Sequence, residues 1–477
     1  MTVEESAPPK GGQFGVAFMR MSTDLVLHAG QSFRGAARAM AVLARHGVLE
    51  SATPCADTIQ MWLLRLGCSL LHSPLPIAED WAFLVDLTMT VGSRKVLVIA
   101  GCRLSQMPFG QRDLAPSDLH LVRLAVLERS THETILPELR AAIARTGTPR
   151  VITTDEGSDV TKAVRRLIEE QPTIASTLDV AHAGANLLKK RWAADPRWSE
   201  FLQKLAQTNQ RIRQTELACL RSPRQRDKGR FMSVGVLPRF AARVLYWLDG
   251  GLADANGAEK YGWLGEYRSD LQRWRWEQQA VQRTIGEVRR NGWETVTLEL
   301  LETEWRQMPA AHTNAGLIGD LRAFAAKMAG RAEPDETLPG STEALESSFG
   351  SWKQWTEAGS NAGLSRLVLA MGSAMKPMPS EDYQQAMEAA PLKKVWNWLA
   401  RNIGATAQKL RTCFNQQTAP AVEQPKPEEA ATTSTQTFWQ PRHSLTYADH
   451  ETARACACGE GQKKSPQGSL AGFFVRR

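Results

Sequence analysis

The order of apolar runs between residues 82 and 193 constrains the fold of this chain more than any other sequence feature. Short β-prone runs alternate there with segments of helical periodicity. The predicted strands cover 82–88, 95–104, 119–128, 150–154 and 173–180, and the predicted helices cover 131–145, 158–170 and 182–192. The order β-β-β-α-β-α-β-α combines an antiparallel meander with parallel crossovers. Right-handed crossovers would place the strand at 150–154 beside the strand at 82–88 in one mixed sheet.

Two aspartates lie in strands that this topology brings together. Asp86 belongs to the first apolar run, and Asp155 directly follows the fourth. A carboxylate at the end of a buried strand is costly to desolvate unless a cation or hydrogen bonds compensate it. A third acid, Glu346, lies in a helical stretch much later in the chain. If the three converge, they form a hard-cation site of the kind that supports phosphoryl transfer.

Residues from about 194 to 336 have helical periodicity throughout, so we expect an all-helical insertion in the α/β core. Basic charge is concentrated near its start, because residues 186–250 contain 14 Lys and Arg against 5 Asp and Glu. One loop in this stretch combines five cations with Pro and Gly: Arg221, Arg224, Arg226, Lys228 and Arg230. Phosphate contact is the hypothesis for this loop, and a purely solubilising role is the alternative.

Residues 30–75 are predicted to form two short helices. The first covers 32–46, and the second opens at Thr53-Pro54, with Thr as its cap and Pro at its first position. Two helices at this separation resemble a helix-turn-helix, whose second helix would present Gln60 and Arg65 to DNA. The alternative is an ordinary α-hairpin with a solvated outer face.

Composition favours an intracellular protein with a polyanionic partner. The formal net charge is +8 and the sequence pI is about 9.2. The seven cysteines are odd in number and mostly isolated, which argues against a disulfide framework and indicates a reducing compartment. A Cys-x-Cys pair at Cys456 and Cys458 has no second pair and is a weak zinc signal. Residues 1–16 lack the apolar core of a signal peptide, so we expect a cytoplasmic protein.

Three segments of the sequence resemble the motifs of one family and follow one another in the same order. They are Val-Asp-Leu-Thr-Met-Thr-Val-Gly-Ser-Arg-Lys-Val-Leu-Val, Thr-Asp-Glu-Gly-Ser-Asp and Glu-Ala-Leu-Glu-Ser-Ser-Phe-Gly-Ser-Trp-Lys. The chain resembles DDE transposases with an RNase H-like catalytic core, as found in bacterial insertion sequences. The string Asp179-Val-Ala-His182 is similar to the Cys/Asp-x-x-His signature of hAT and Mutator-like superfamilies. The resemblance covers roughly residues 30 to 375.

The resemblance implies that Asp86, Asp155 and Glu346 hold catalytic Mg²⁺, with Mn²⁺ as a substitute. The glutamate is placed at Glu346 because it directly precedes Ser-Ser-Phe-Gly. Three other acids stay open as the third ligand: Glu343, Glu333 and Glu336. His182 would contact the scissile phosphate or orient a ligand. Alternatively, it bonds to Asp179 at the start of a helix and is purely structural.

The resemblance implies a transposase that binds transposon ends in double-stranded DNA, hydrolyses them and transfers the freed strand, at least as a dimer. Two alternatives are a catalytically silent DNA-binding protein and an RNase H-like nuclease that cuts without joining. The expected organisation is a flexible N-terminus at 1–29, a helix-turn-helix domain at 30–75, the first part of the core at 78–193, the insertion at 194–336, the last core helices at 337–378, a C-terminal helical segment at 379–414 and a mobile tail at 415–477.

Overall fold

The structure, a computed structural model, describes residues 7–49, 53–91, 94–223, 235–308, 315–357, 365–376, 378, 380–404 and 411–415. Its strands are β1 (Trp81–Val91), β2 (Arg94–Arg103), β3 (His120–Leu127), β4 (Val151–Thr154) and β5 (Ala175–Leu178). Its α-helices are α1 (Val16–Leu27), α2 (Phe33–Arg45), α3 (Ala56–His72), α4 (His132–Thr146), α5 (Ser158–Glu170), α6 (Val180–Ala193), α7 (Pro196–Arg211), α8 (Val236–Asp249), α9 (Ala255–Tyr261), α10 (Arg268–Asn291), α11 (Thr295–Arg306), α12 (Ala315–Ala329), α13 (Glu343–Glu357), α14 (Ser380–Ala389) and α15 (Leu392–Asn402).

The five strands form one mixed sheet in the order β3-β2-β1-β4-β5. Pairing is antiparallel between β1 and β2 and between β2 and β3, and it is parallel between β1 and β4 and between β4 and β5. The predicted element order and the predicted pairing of the first strand with the fourth are therefore confirmed. β1 is longer than predicted because it continues to pair with β2 as far as Val91, beyond the end of β4.

One face of the sheet is covered by α4 and α5. Successive side chains of a strand point to opposite faces, so Trp81, Phe83 and Val85 lie on the same side of β1. All three are fully buried in the core that these two helices complete, together with Leu139 and Leu167. This apolar layer holds the central strands in place beneath the candidate site.

The other face is covered by helices from both ends of the chain. The core on this side includes Leu84 of β1 and residues from α1, α2, α3, α13, α14, α15 and a 3₁₀ helix at Arg366–Ala374. α3 packs very closely on the 3₁₀ helix at Gly67, where an added Cβ would lie 1.9 Å from the carbonyl oxygen of Leu369. Only glycine permits that separation.

This arrangement corrects three predictions about the N-terminal region. The expectation of a flexible segment at 1–29 is wrong for residues 16–27, since α1 buries Phe18, Met19 and Val26 against the shared core. Residues 30–75 do contain two helices, but the predicted cap is wrong: α3 begins at Ala56 after Cys55, and Thr53 and Pro54 precede it. The two helices share their core with the sheet and do not form a separate domain. Periodicity located the helices, and it gave no indication of what they pack against.

The helices from α6 to α12 build a second apolar core around aromatic side chains. Trp192, Trp198 and Trp274 are buried in contact with one another, with ring centroids 4.6 Å apart for the first pair and 4.7 Å for the last. In the part of 194–336 that the structure describes, the regular secondary structure is helical apart from one bridge at Trp293. α6 follows β5 directly and contributes to this core, so the insertion begins from the sheet itself.

The described cysteines are unpaired thiols, and burial raises the pKa of Cys102 to about 11. Cys456 and Cys458 lie outside the described residues. Among the helices that the structure describes, none combines the length and apolarity needed to cross a membrane.

Candidate active site

Asp86 and Asp155 lie side by side where β4 ends. The parallel pairing of β1 with β4 runs up to Val85 beside Thr154, and the two aspartates are the next residue on each strand. Neighbouring strands are about 4.8 Å apart, and residues that are adjacent across parallel strands share a face. Because Val85 points toward α4 and α5, alternation along β1 directs Asp86 toward the opposite face, where α13 packs. The predicted pairing of the two strands thus places Asp86 next to the position that Asp155 occupies after β4.

The loop after Asp155 is shaped around its carboxylate. Asp155 Oδ1 accepts a hydrogen bond from the backbone N–H of Gly157 at 3.0 Å. This is a local Asx-type turn, which fixes the direction of the side chain. A Cβ on Gly157 would lie 2.8 Å from the same oxygen, so glycine allows the loop to close over the carboxylate before α5 begins.

Asp179 joins the beginnings of two helices that are far apart in the chain. Its Oδ1 accepts from the backbone N–H of His182 at 2.7 Å and caps α6. Its Oδ2 accepts from the backbone N–H of Thr342 at 2.6 Å and from the Thr342 hydroxyl at 3.0 Å, immediately before α13. Burial by itself raises the pKa of Asp179, but the hydrogen bonds from His182 and Thr342 outweigh burial and hold the pKa below its usual range.

His182 lies between Asp179 and Glu346. Its Nδ1 is 3.2 Å from Asp179 Oδ1 and 3.7 Å from Glu346 Oε1. The side chain of Glu346 is only 3% exposed, although it carries a carboxylate in the first turn of α13. Asp179 and His182 are therefore in direct contact, and the structural alternative of a bond between them is present in the fold.

Three of the four candidate acids near this site are paired with arginines. Glu343 Oε2 is 2.7 Å from Arg289, and Arg150 contacts both Glu336 at 2.6 Å and Glu333 at 3.5 Å. Glu346 instead points into the buried space beside His182. Of these four glutamates, Glu346 is thus the one that lies beside His182.

The segment before α13 is held across the ends of β4 and β5 by hydroxyl groups that the sequence did not single out. The hydroxyls of Thr153 and Thr177 lie 2.8 Å apart, and both donate to the carbonyl oxygen of Pro339, at 3.2 Å and 2.8 Å. The backbone N–H of Val180 donates to the carbonyl of Gly340 at 2.9 Å. Buried threonines in a short strand were the only available signal. The bonds from Thr153 and Thr177 to Pro339 fix the segment that leads into α13, the helix that carries Glu346.

The carboxylate donors are chemically suited to Mg²⁺, but they are not gathered into a compact cluster. Oxygen ligands from Asp and Glu are those that this ion prefers. Across the described residues, no group of three or more His, Cys, Asp or Glu side chains is arranged to hold a metal ion. Asp86 lies mid-strand beside the end of β4, which Asp155 follows, while Glu346 lies beside His182.

The predicted DNA-contacting residues are only partly accounted for. Gln60 is half-buried on α3. Arg65 does not face outward as predicted: its Nε donates to the carbonyl of Ala390 at 2.9 Å, and its Nη2 donates to the carbonyl of Met387. Arg65 thus stabilises the end of α14, because the last carbonyls of a helix lack partners within the helix. In the basic loop, Arg221 is exposed, and four predicted cations lie outside the described residues: Arg224, Arg226, Lys228 and Arg230.

No protein-family model and no curated protein matches this sequence. Among solved structures, the chain is similar to the Drosophila P element transposase strand transfer complex, with 10% sequence identity and a TM-score of 0.29. The match covers 85% of this chain and 86% of that chain. A likeness at this level does not establish a common fold or function, so function is inferred from the site itself.

Proposed function

We propose that this protein is a metal-dependent DNA transposase of the DDE type, built on an RNase H-like core. One observation carries the proposal: Asp86, in the middle of β1, lies next to the point where β4 ends and Asp155 follows, and the helix of Glu346 packs against β1. The sheet order β3-β2-β1-β4-β5 supports the same proposal, since it makes β1 central and places β4 directly beside it.

Asp86, Asp155 and Glu346 would hold the divalent ions. Bound Mg²⁺ supplies activation of the attacking water or 3′-hydroxyl and charge stabilisation of the leaving oxygen. Asp179 keeps the starts of α6 and α13 together through His182 and Thr342. His182 lies 3.7 Å from the Glu346 carboxylate and would help to orient it.

The proposed substrate is double-stranded DNA, which suits the net charge of +8. Hydrolysis at the element ends would be followed by transfer of the freed 3′-hydroxyl to a target strand. Because two ends have to be paired, the proposed active form is at least a dimer. Arg65 is not part of the proposed DNA surface, since its guanidinium donates to backbone carbonyls.

The test uses the full chain and labelled duplexes that carry the DNA flanking its coding sequence, with Mg²⁺ or with EDTA. We expect Mg²⁺-dependent nicking and joined products from the unaltered protein. Asp86→Asn and Asp155→Asn should abolish both and leave DNA binding intact. Asp382→Asn, at an exposed position of α14, is the matched control and should retain both activities.

Other outcomes separate the alternatives. Nicking without joined products would indicate a nuclease, and binding without nicking would indicate a silent DNA-binding protein. Nicking that survives in both aspartate variants would contradict the proposal.

A further inference from the structure

A groove lies on the side of the molecule where β3 forms the edge of the sheet. It has a volume of about 670 Å³ and runs between β3, α4, the end of α3 and α15. Five of the residues that line it are basic: Arg123, Arg145, Lys393, Lys394 and Arg401. None of the described lining residues is Asp or Glu. We call it the α15 groove.

Two of these cations are fixed at the inner side of the α15 groove. Arg145 Nη1 donates to the carbonyl of Val122 at 2.6 Å, and its Nη2 donates to the carbonyl of Ser73 at 2.5 Å. Arg123 pairs with Glu138 at 2.5 Å, and the Arg123 side chain remains 41% exposed. The guanidinium of Arg145 thus closes part of the edge of β3, where a peptide could otherwise add as a further strand.

The other cations lie along one helix. Lys393, Asn397 and Arg401 are spaced four residues apart on α15, so they form one row on its surface. A rise of 1.5 Å per residue gives this row a length of about 12 Å. Bases along one DNA strand rise by about 3.4 Å each, so the row matches roughly three to four nucleotides. Lys393 and Arg401 are exposed, and Lys394 lies beside them.

The charge in the α15 groove affects a neighbouring histidine. Burial lowers the pKa of His72, and the positive charges of Lys394, Arg145 and Arg123 lower it further. A hydrogen bond to the carbonyl of Cys68 opposes this only in part. The cations of the α15 groove therefore lie close enough to His72 to disfavour its protonation.

We propose that the α15 groove binds the phosphodiester backbone of double-stranded DNA without reading its base sequence. The identity of the polyanion rests on the proposed function, whereas the groove itself lies at the β3 edge, two strands away from β1. An acidic polypeptide is the competing occupant. The cations of α15 favour a ligand held by charge. The partly closed edge of β3 disfavours a ligand held by main-chain pairing.

The test measures binding of the full chain to a short random-sequence duplex by fluorescence anisotropy, in EDTA and at several salt concentrations. The groove variant combines Lys393→Gln, Lys394→Gln and Arg401→Gln. The control variant combines Lys162→Gln, Arg165→Gln and Arg166→Gln, which are exposed on α5 and remove the same charge. Circular dichroism melting verifies that both variants fold.

A plot of the logarithm of the DNA-binding constant against the logarithm of the salt concentration has a negative slope. We expect this slope to be shallower by about 2 to 3 in the groove variant, at roughly 0.9 per lost phosphate contact. The control should change the slope by less than about 1. A variant with Lys393→Arg and Lys394→Arg should bind as the unaltered chain does. Equal losses in the groove and control variants would overturn the proposal, as would tighter binding of poly-glutamate than of DNA. Because EDTA prevents metal-dependent cleavage, a failure of nicking does not affect this result.

Discussion

Asp179 and Thr342 are 163 residues apart in the chain, and the Asp179 carboxylate accepts hydrogen bonds from both the backbone N–H and the hydroxyl of Thr342. The same carboxylate caps α6 through the N–H of His182. One buried side chain therefore closes the insertion back onto the core and fixes where α13 begins. The orientation of Glu346 depends on that start, since Glu346 lies in the first turn of α13.

Asp179→Ala should destabilise the protein more than a typical surface substitution. It removes the cap of α6, which is worth about 1 kcal/mol, and it leaves the buried N–H of Thr342 without an acceptor, which costs about 1–3 kcal/mol. Urea unfolding should show a lower midpoint with little change in slope. Asp195→Ala, which removes the cap of α7 inside the insertion, is a comparison that should not affect nicking. Equal nicking by the unaltered chain and Asp179→Ala would contradict the positioning role.

The stabilising effect of Asp179 should depend on pH in one direction. Its pKa in the folded protein is below the unfolded value of about 3.9. Its contribution is therefore fully present above that unfolded value and is lost as the pH falls through the folded value. The difference in unfolding free energy between the unaltered chain and Asp179→Asn should be constant near neutral pH and shrink below about pH 4. A difference that grows on acidification would show that the sign is wrong.

Gly67→Ala should disrupt the contact between α3 and the 3₁₀ helix at 366–374. The added Cβ would lie 1.9 Å from the Leu369 carbonyl oxygen and 2.7 Å from the Cα of Ala370, so backbone has to move. We expect a loss of about 1–3 kcal/mol or more, measured by thermal or urea unfolding. Gly286→Ala in α10 meets nothing within 4 Å and should be neutral or stabilising by up to about 1 kcal/mol. Similar effects at the two positions would contradict the packing described for α3.

Replacing each of two glutamates one turn apart should separate their roles. Glu346→Gln removes the carboxylate beside His182, and we expect nicking to fall below detection with DNA binding retained. Glu343→Gln removes an ion pair with Arg289, whose side chains are 41% and 21% exposed, and should cost about 1 kcal/mol or less in stability. Its nicking should stay close to that of the unaltered chain. The reverse pattern would identify Glu343 as the third acid.

The meeting of Asp86 and Asp155 could be predicted from sequence because it follows from strand order and from the right-handed rule for crossovers. The role of Asp179 toward Thr342 could not, because hydrogen bonds between distant segments leave no periodic signal. Arg65 shows a different limit. A polar side chain on the outer face of an amphipathic helix looks the same in sequence whether it meets solvent, DNA or the end of another helix, and here it meets the end of α14.

Binding of Mn²⁺ tests most directly whether Asp86, Asp155 and Glu346 form a metal site. Free aqueous Mn²⁺ would be quantified by electron paramagnetic resonance during titration of the full chain with duplex DNA present. The unaltered protein should remove Mn²⁺ from solution, while Asp86→Asn and Asp155→Asn should each weaken that binding and Asp382→Asn should not. Equal Mn²⁺ binding by all four proteins would contradict the central claim.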